Sequence, residues 1–385
     1  MGNIMKLERR QFLTLTSGLL GSPLFAFAHN SAKQSPLFLS AASDGDDKHW
    51  VIGFNSESGI TAQAFKHQLP ARAHHIAVHE GLGVYLVIAR RPGHYLWVGD
   101  LDSGKHLTTI NVPDDRHLYG HGVFSSNGEN FYTTENAWQL INGDSGRVVK
   151  WQSGRRGDTF TLERQEEYPS YGTGPHELLL RSDQKTLVVA NGGIRTHPDR
   201  GREKLNIPSM QPSLVYINAN TGDLQEQHFL DPDYHKASVR HLDQNESGLI
   251  ALAMQYEGEA FERAPLLALH QQSKGLRILW MPETERGEIP QYIGSVRFDN
   301  SGRYIAASCP RDNMITFWDT ENDTMIGTVR SRDGCGVTAV VSGFLYTAGT
   351  GRIAYYDLTS DQKVDMGNSP FDKVFWDNHL TVLPG

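Results

Sequence analysis

The sequence predicts an all-β protein, a seven-bladed β-propeller closed by pairing of its N- and C-terminal segments. Three observations predict it. A phrase made of a short apolar strand, a polar turn with glycine and a second apolar strand recurs seven times along the 385 residues. An aromatic-rich strand ending in Asp or Asn, then a turn, follows most copies. The 38 glycines and 17 prolines, with 7 Trp, 14 Tyr and 16 Phe, describe short aromatic strands between tight turns, a composition suited to pleated sheets. No long segment of helical periodicity separates the strands, which excludes a doubly wound α/β fold.

The chain opens with an address. Arg9-Arg10-Gln11-Phe12-Leu13 leads into a run of apolar and small residues that ends in Ala26-Phe27-Ala28, the small-x-small pattern a signal peptidase cuts. This reads as a twin-arginine export signal over residues 1–28. A membrane span needs about 20 strongly apolar residues, whereas this run is shorter and contains Gly18, Gly21 and Pro23. Residues 29–385 are therefore expected to form a single propeller domain in the periplasm, with no membrane span after cleavage.

The first copies of the repeated phrase start at His75, His121 and His176, and later ones near His241, Ser295, Gly336 and Asp372. Their spacings, between 36 and 65 residues, suit one four-stranded blade per copy. Tyr95–Asp100, Leu214–Asn218, Ile315–Asp319 and Ile353–Asp357 are third strands. The turns Asp102-Ser-Gly104, Asn220-Thr-Gly222 and Glu321-Asn322 lead to fourth strands. Asp372 to Leu383 supplies inner strands only, whereas Trp50–Asn55 and Ile60–Phe65 supply outer ones. The seventh blade is thus expected to be shared between the chain ends, leaving no free sheet edge. Gly349-Thr-Gly351-Arg-Ile-Ala354 fits the loose G-x-G-x-x-A pattern but stands at a turn between strands, where it has no helix to open.

Charge and cysteine content narrow the function. Lys+Arg 36 against Asp+Glu 44 gives a formal net charge of −8, so no phosphate-neutralising surface for nucleic acid is evident. Cys309 and Cys335 are too few for a disulfide framework. They fall on the same expected face, which leaves a single bridge and two free thiols equally open.

Blade geometry sorts the polar residues. The start of a first strand and the end of a second lie on one face of a propeller. His75, His121, His176, Arg240-His241, Ser295 and Cys335 therefore share a channel mouth with Arg90-Arg91, Glu135-Asn136, Asn191, Gln255-Tyr256 and Cys309. Neutral imidazoles of His75, His121, His176 and His241, with Glu135 and Glu177 beside them, are the candidate ligands of a transition metal, iron or copper. Arg240, Asn191 and Asn136 are the candidates for contacting a bound cofactor. The alternative is that the histidines recur only as part of the hydrogen bonding between blades. His75/His79 and His117/His121 have i, i+4 spacing, but on strands such pairs lie about 13 Å apart and do not share an ion.

The longest insertion, Gly192 to Gln211, carries Arg195, His197, Arg200, Arg202 and Lys204 and emerges at the same mouth, as does Tyr256 to Pro265. Its cations either meet a carboxylate, a phosphate or a partner, or form a solvated loop.

Gly120-His-Gly-Val-Phe-Ser, Tyr132-Thr-Thr-Glu-Asn136, Gly174-Pro-His-Glu177, Val189-Ala-Asn-Gly-Gly193, Thr196-His-Pro-Asp199, Arg240-His-Leu242 and Cys335-Gly-Val337 together resemble a bacterial periplasmic family, domain of unknown function 1513. The resemblance covers essentially the whole mature chain and implies a setting in periplasmic iron acquisition. The implied partners are imelysin-type iron-uptake proteins or a haem-containing peroxidase-like protein. It implies no catalytic residue.

Three functions follow from these readings. The first is a periplasmic binding module that uses the His/Asn/Glu-rich mouth for a metal or for docking a partner. The second is a metal-dependent or lactonase-like hydrolase or an oxidoreductase, with His121, His176 and Glu177 as ligands or bases. The third is an interaction scaffold whose histidines are purely structural.

Overall fold

Strands such as Val84–Ala89, Thr186–Asn191, Ile250–Tyr256 and Gly343–Ala348 are buried at every residue. That pattern marks strands covered on both faces. Each is the second strand of a blade and lies between neighbouring blades. Fourth strands such as His106–Asn111 and Leu224–Phe229 are half-buried or exposed, as outermost strands must be.

The computed structural model describes residues 35–57, 60–140, 145–281, 290–360, 362–365 and 373–383. The expected export signal over residues 1–28 lies outside them. Seven antiparallel sheets are arranged as blades, six of them taking four strands in chain order. Blades 1 to 6 begin with the inner strands Ala73–His79, His117–Phe124, Pro175–Leu180, Ala237–Gln244, Ser295–Phe298 and Gly334–Val340. Among the described residues no helix is long and apolar enough to cross a membrane.

Blade 7 closes the ring through both ends of the chain. Val374–Trp376 and Thr381–Leu383 both pair with Leu37–Asp44, at Ala42↔Trp376 and Leu37↔Leu383. His49–Glu57 and Ile60–Leu69 complete the sheet. One assignment differs from the sequence reading. The C-terminal segment supplies the innermost strand alone, and the second strand is Leu37–Asp44, whose Ser-Ala-Ala-Ser centre is too weakly apolar to stand out although five of its eight residues are buried. The innermost strand is also broken. Asp377 to Leu380 leave the ladder between its two halves, and Asp377 and His379 are buried at 3% and 2% exposure.

The inner strands of five other blades share a related irregularity. Register shifts between Ala73 and Ile76, Leu118 and Gly122, Pro175 and Leu178, Val239 and His241, and Gly334 and Val337. The residues skipped are His74-His75, Tyr119-Gly120-His121, His176-Glu177, Arg240 and Cys335-Gly336. A bulge re-aims side chains that strict alternation sends to opposite faces. Here it brings adjacent polar residues to the channel.

Candidate metal centre

Six imidazoles meet on the propeller axis: His74 and His75 from blade 1, His121 from blade 2, His176 from blade 3, His241 from blade 4 and His379 from the closing segment. His121 stands at the centre, with ring centroids 4.9 Å from His74, 5.2 Å from His75, 4.9 Å from His176, 5.6 Å from His241 and 4.6 Å from His379. Gly120 makes this packing possible. Its φ of +105° lies in the left-handed region, and a Cβ there would stand 2.8 Å from the His74 ring.

Burial keeps all six rings neutral. It lowers His74 and His75 to about 4, and His121, His176 and His379 well below their ordinary value; in these last three the neighbouring histidines add to the effect. His241 is also lowered by burial, with Glu177 opposing the shift. Each neutral ring then offers one lone pair.

Two carboxylates fix the tautomers. Asp377, which Arg90, His74 and Arg72 hold well below the usual carboxylate range against the opposing effect of burial, accepts the Nδ1 proton of His74 at 2.8 Å. The bare Nε2 of His74 then faces Nε2 of His379 at 3.3 Å. Two lone pairs do not face each other at that distance without a shared proton or a shared cation. Glu177 accepts from His241 Nδ1 at 3.1 Å and from the Leu242 amide at 3.2 Å. Its other oxygen lies 3.7 Å from His121 Nδ1 and 3.9 Å from Arg297. A carboxylate behind a histidine is the usual support of a metal-bound imidazole.

Two donor groups result, each with ligand atoms mutually within 4.8 Å: His121, Glu177, His241 and His379, all buried, and His74, His121 and His176, in which His176 is half-buried. Imidazole with a single carboxylate suits iron, copper, zinc and their neighbours, whereas magnesium and calcium prefer all-oxygen sites. A third grouping, Glu226, His228 and His270, is already satisfied. His270 bonds Tyr216 at 2.6 Å and the Lys274 carbonyl at 2.7 Å, and His228 bonds Glu226 at 3.0 Å.

The remaining sequence candidates fall elsewhere. Glu135 is fully buried, but Arg164 grips both its oxygens at 3.0 and 2.9 Å and Thr133 donates to it at 3.0 Å. Asn136 donates to His117 Nε2 at 2.9 Å and Asn191 to the Ser170 carbonyl at 2.8 Å. These amides hold the loops of the mouth in place. Arg240 donates to Ser238 at 3.0 Å and lies 3.8 Å from Glu257. Cys309 and Cys335 are both free and buried, and burial raises both thiols. They form no bridge.

Sequence reasoning missed His74, His379 and Asp377. Strand alternation assigns His74 to the face opposite His75, and only the bulge overturns that. His379 and Asp377 lie in the closing segment, outside the repeated phrase. On the other side of the histidines a cavity of 530 Å³ runs down the channel. Its walls are the inner strands of blades 1 and 2 and Thr381–Leu383, and His75 is the one histidine of the cluster lining it.

Fold and site together define a seven-bladed propeller with a histidine-filled axis. The chain belongs to the family described as protein of unknown function DUF1513, whose model matches residues 67–383. No curated protein matches the sequence. Among solved structures, the chain is similar to hydrazine synthase of Kuenenia stuttgartiensis, with 14% identity, 91% of this chain and 100% of that one covered, and a TM-score of 0.58. It is also similar to a candidate 6-phosphogluconolactonase of Bacteroides fragilis, with 14% identity, coverage of 90% and 98%, and a TM-score of 0.59. Saccharomyces cerevisiae Sqt1 matches at 12% identity, coverage of 86% and 82%, and a TM-score of 0.56. Such distant likenesses establish the shared fold and carry no function with it.

Proposed function

We propose that this protein is an exported propeller that holds a first-row transition metal ion, iron or copper, at its axial histidines. In this reading it serves periplasmic metal acquisition and works with iron-handling partners of the imelysin or haem peroxidase type. The observation that carries the metal assignment is His121. Both of its ring nitrogens are buried without a hydrogen-bond partner, and it belongs to both donor groups. A buried polar atom left unpaired costs about 1–3 kcal/mol. Purely structural histidines of the same propeller escape that cost: His117 and His270 each have both nitrogens bonded. A bound cation removes it at the one nitrogen of His121 that carries the lone pair.

A metal-dependent hydrolase or oxidoreductase is the second reading. It is favoured by the group His74, His121 and His176, since three protein ligands with a free position are typical of catalytic centres. Metal analysis of protein exported natively, beside a His121→Ala/His379→Ala variant, tests the metal assignment. Near-stoichiometric iron or copper in the parent, lost in the variant, is expected. Metal-free parent protein that also binds neither Fe(II) nor Cu(II) on equilibrium dialysis would return the histidines to a structural role. Retention of Arg9→Lys/Arg10→Lys protein in the cytoplasm is the expected outcome for twin-arginine export, and its normal secretion would contradict that route.

A further inference from the structure

One carboxylate separates the histidines from a layer of arginines. Arg72 and Arg90 both pair with Asp377 at 2.8 Å, the same residue that holds His74. Arg91 follows on the loop after Val84–Ala89, Arg240 directly precedes His241, and Arg202 comes from the long insertion of blade 3. Arg90 lies within electrostatic reach of Arg91, Arg202 and Arg240, and Arg91 within reach of Arg202 and Arg240. Arg202 is itself exposed to solvent, and the neighbouring charge of Arg90, with those of Arg72 and Arg91, disfavours its own. Burial disfavours that of Arg91, and Arg240 and Arg90 add to it.

The local balance of charge is incomplete. Asp377 is taken by Arg72 and Arg90, and Glu257 by Lys204, with Arg240 farther off at 3.8 Å. Among the described residues, Arg91 and Arg202 have neither an ion pair nor a hydrogen bond. In a chain of net charge −8, such a concentration of guanidinium groups is a feature of this mouth and not of the composition. Neutral donors share the site. Tyr119 is 5% exposed, and its hydroxyl, facing Arg91 and Arg240, lies beside Thr196 but outside hydrogen-bond geometry. Trp138, whose ring packs against His197 of the insertion at 4.7 Å, has a buried Nε1 with no partner. Clustered cations are stable together when an anion joins them, and the planar guanidinium fork fits the paired oxygens of carboxylate and phosphate.

We propose that this mouth binds a small multivalent oxyanion, a di- or tricarboxylate or a phosphate, through Arg91, Arg202 and Arg240. The site stands independently of the metal assignment. It adjoins that centre through Arg240, which directly precedes His241, and through Asp377, which bonds both Arg90 and His74. An anion that also chelates metal fits both layers.

The test is isothermal titration calorimetry on the mature chain, as purified and again after chelation, with citrate and inorganic phosphate as separate probes. One-site binding of at least one probe is expected before and after chelation, weakened tenfold or more in Arg91→Ala/Arg202→Ala. The melting temperature of that variant should match the parent, because neither arginine is paired. Citrate alone binding assigns a carboxylate, and phosphate alone assigns a phosphate. Failure of both probes, or equal binding by the variant, overturns the proposal. Metal content, measured separately, reports on the other site.

Discussion

Asp377 takes the Nδ1 proton of His74 at 2.8 Å, and the two residues are 303 positions apart in the chain. The contact exists because the C-terminal segment closes the blade ring and leaves its ladder at Asp377, so the step that completes the fold also completes the site. Asp377→Asn keeps the shape and removes the negative charge behind the imidazole. Loss of such a supporting carboxylate lowers metal affinity about 10- to 100-fold. Competition titration against a chelator of known affinity, on variant protein shown to be folded by circular dichroism, measures it. Unchanged affinity would mean that His74 is not a ligand.

Metal-free protein should lose stability as the pH falls from about 6.5 towards about 4. His74 and His75 have folded values lowered to about 4, and the other four rings shift the same way. In that window the unfolded chain binds more protons than the folded one, so stability is full above the unfolded histidine value and declines below it. Asp243 and Glu135 work in the opposite sense, since burial raises both, Asp243 to about 6, but two carboxyls are outnumbered by six rings. Melting temperatures across this range should fall with acidity and fall less when metal is bound. A flat profile in the metal-free protein would contradict buried neutral histidines.

Arg164→Ala should destabilise the protein without changing the metal content of the candidate centre. Arg164 provides both charge-assisted bonds to the fully buried Glu135. Removing one member of a buried pair costs about 3 kcal/mol, because the other is left as an uncompensated charge. Chemical denaturation gives the stability change, and metal analysis gives the occupancy. Loss of metal from a variant that remains folded would make Glu135 part of the centre after all.

The blade pattern was legible because second and third strands are dense in apolar and aromatic residues and end in turn residues, as at Tyr95–Asp100 and Ile315–Asp319. Leu37–Asp44 was not, because small residues fill a narrow place between blades without a hydrophobic signature. At the site, assigning His121, His176 and His241 to inner strands was enough to bring them to one mouth, although His121 and His241 do not begin theirs and stand at bulges within His117–Phe124 and Ala237–Gln244. His74 needed knowledge of a bulge, which depends on the partner strand and has no local signal. Asp377 and His379 needed the closure itself. Arg91 and Arg202 were visible as residues of mouth loops, but their convergence is a product of two blades and a long insertion.

Gly120→Ala should disable the centre more than its size suggests. The φ of +105° at Gly120 is a conformation an alanine adopts only under strain. The added methyl would also stand 2.8 Å from Cδ2 and 2.9 Å from Cβ of His74. His74 cannot retreat freely, since its Nδ1 is tied to Asp377 and its ring packs against His121 and His379. The backbone must therefore yield at the bulge that also carries His121, displacing two candidate ligands at once. A matched control is Gly154→Ala, whose new methyl meets only Thr161 Oγ1 at 3.7 Å, an ordinary contact, in a strand where alanine is no worse than glycine. The expected result is a melting temperature several degrees lower and a sharp drop in bound metal for Gly120→Ala, with Gly154→Ala close to the parent on both measures. If the two variants behave alike, the bulge is not what holds His74 and His121 in register, and the six-ring cluster owes its geometry to the inner strands alone.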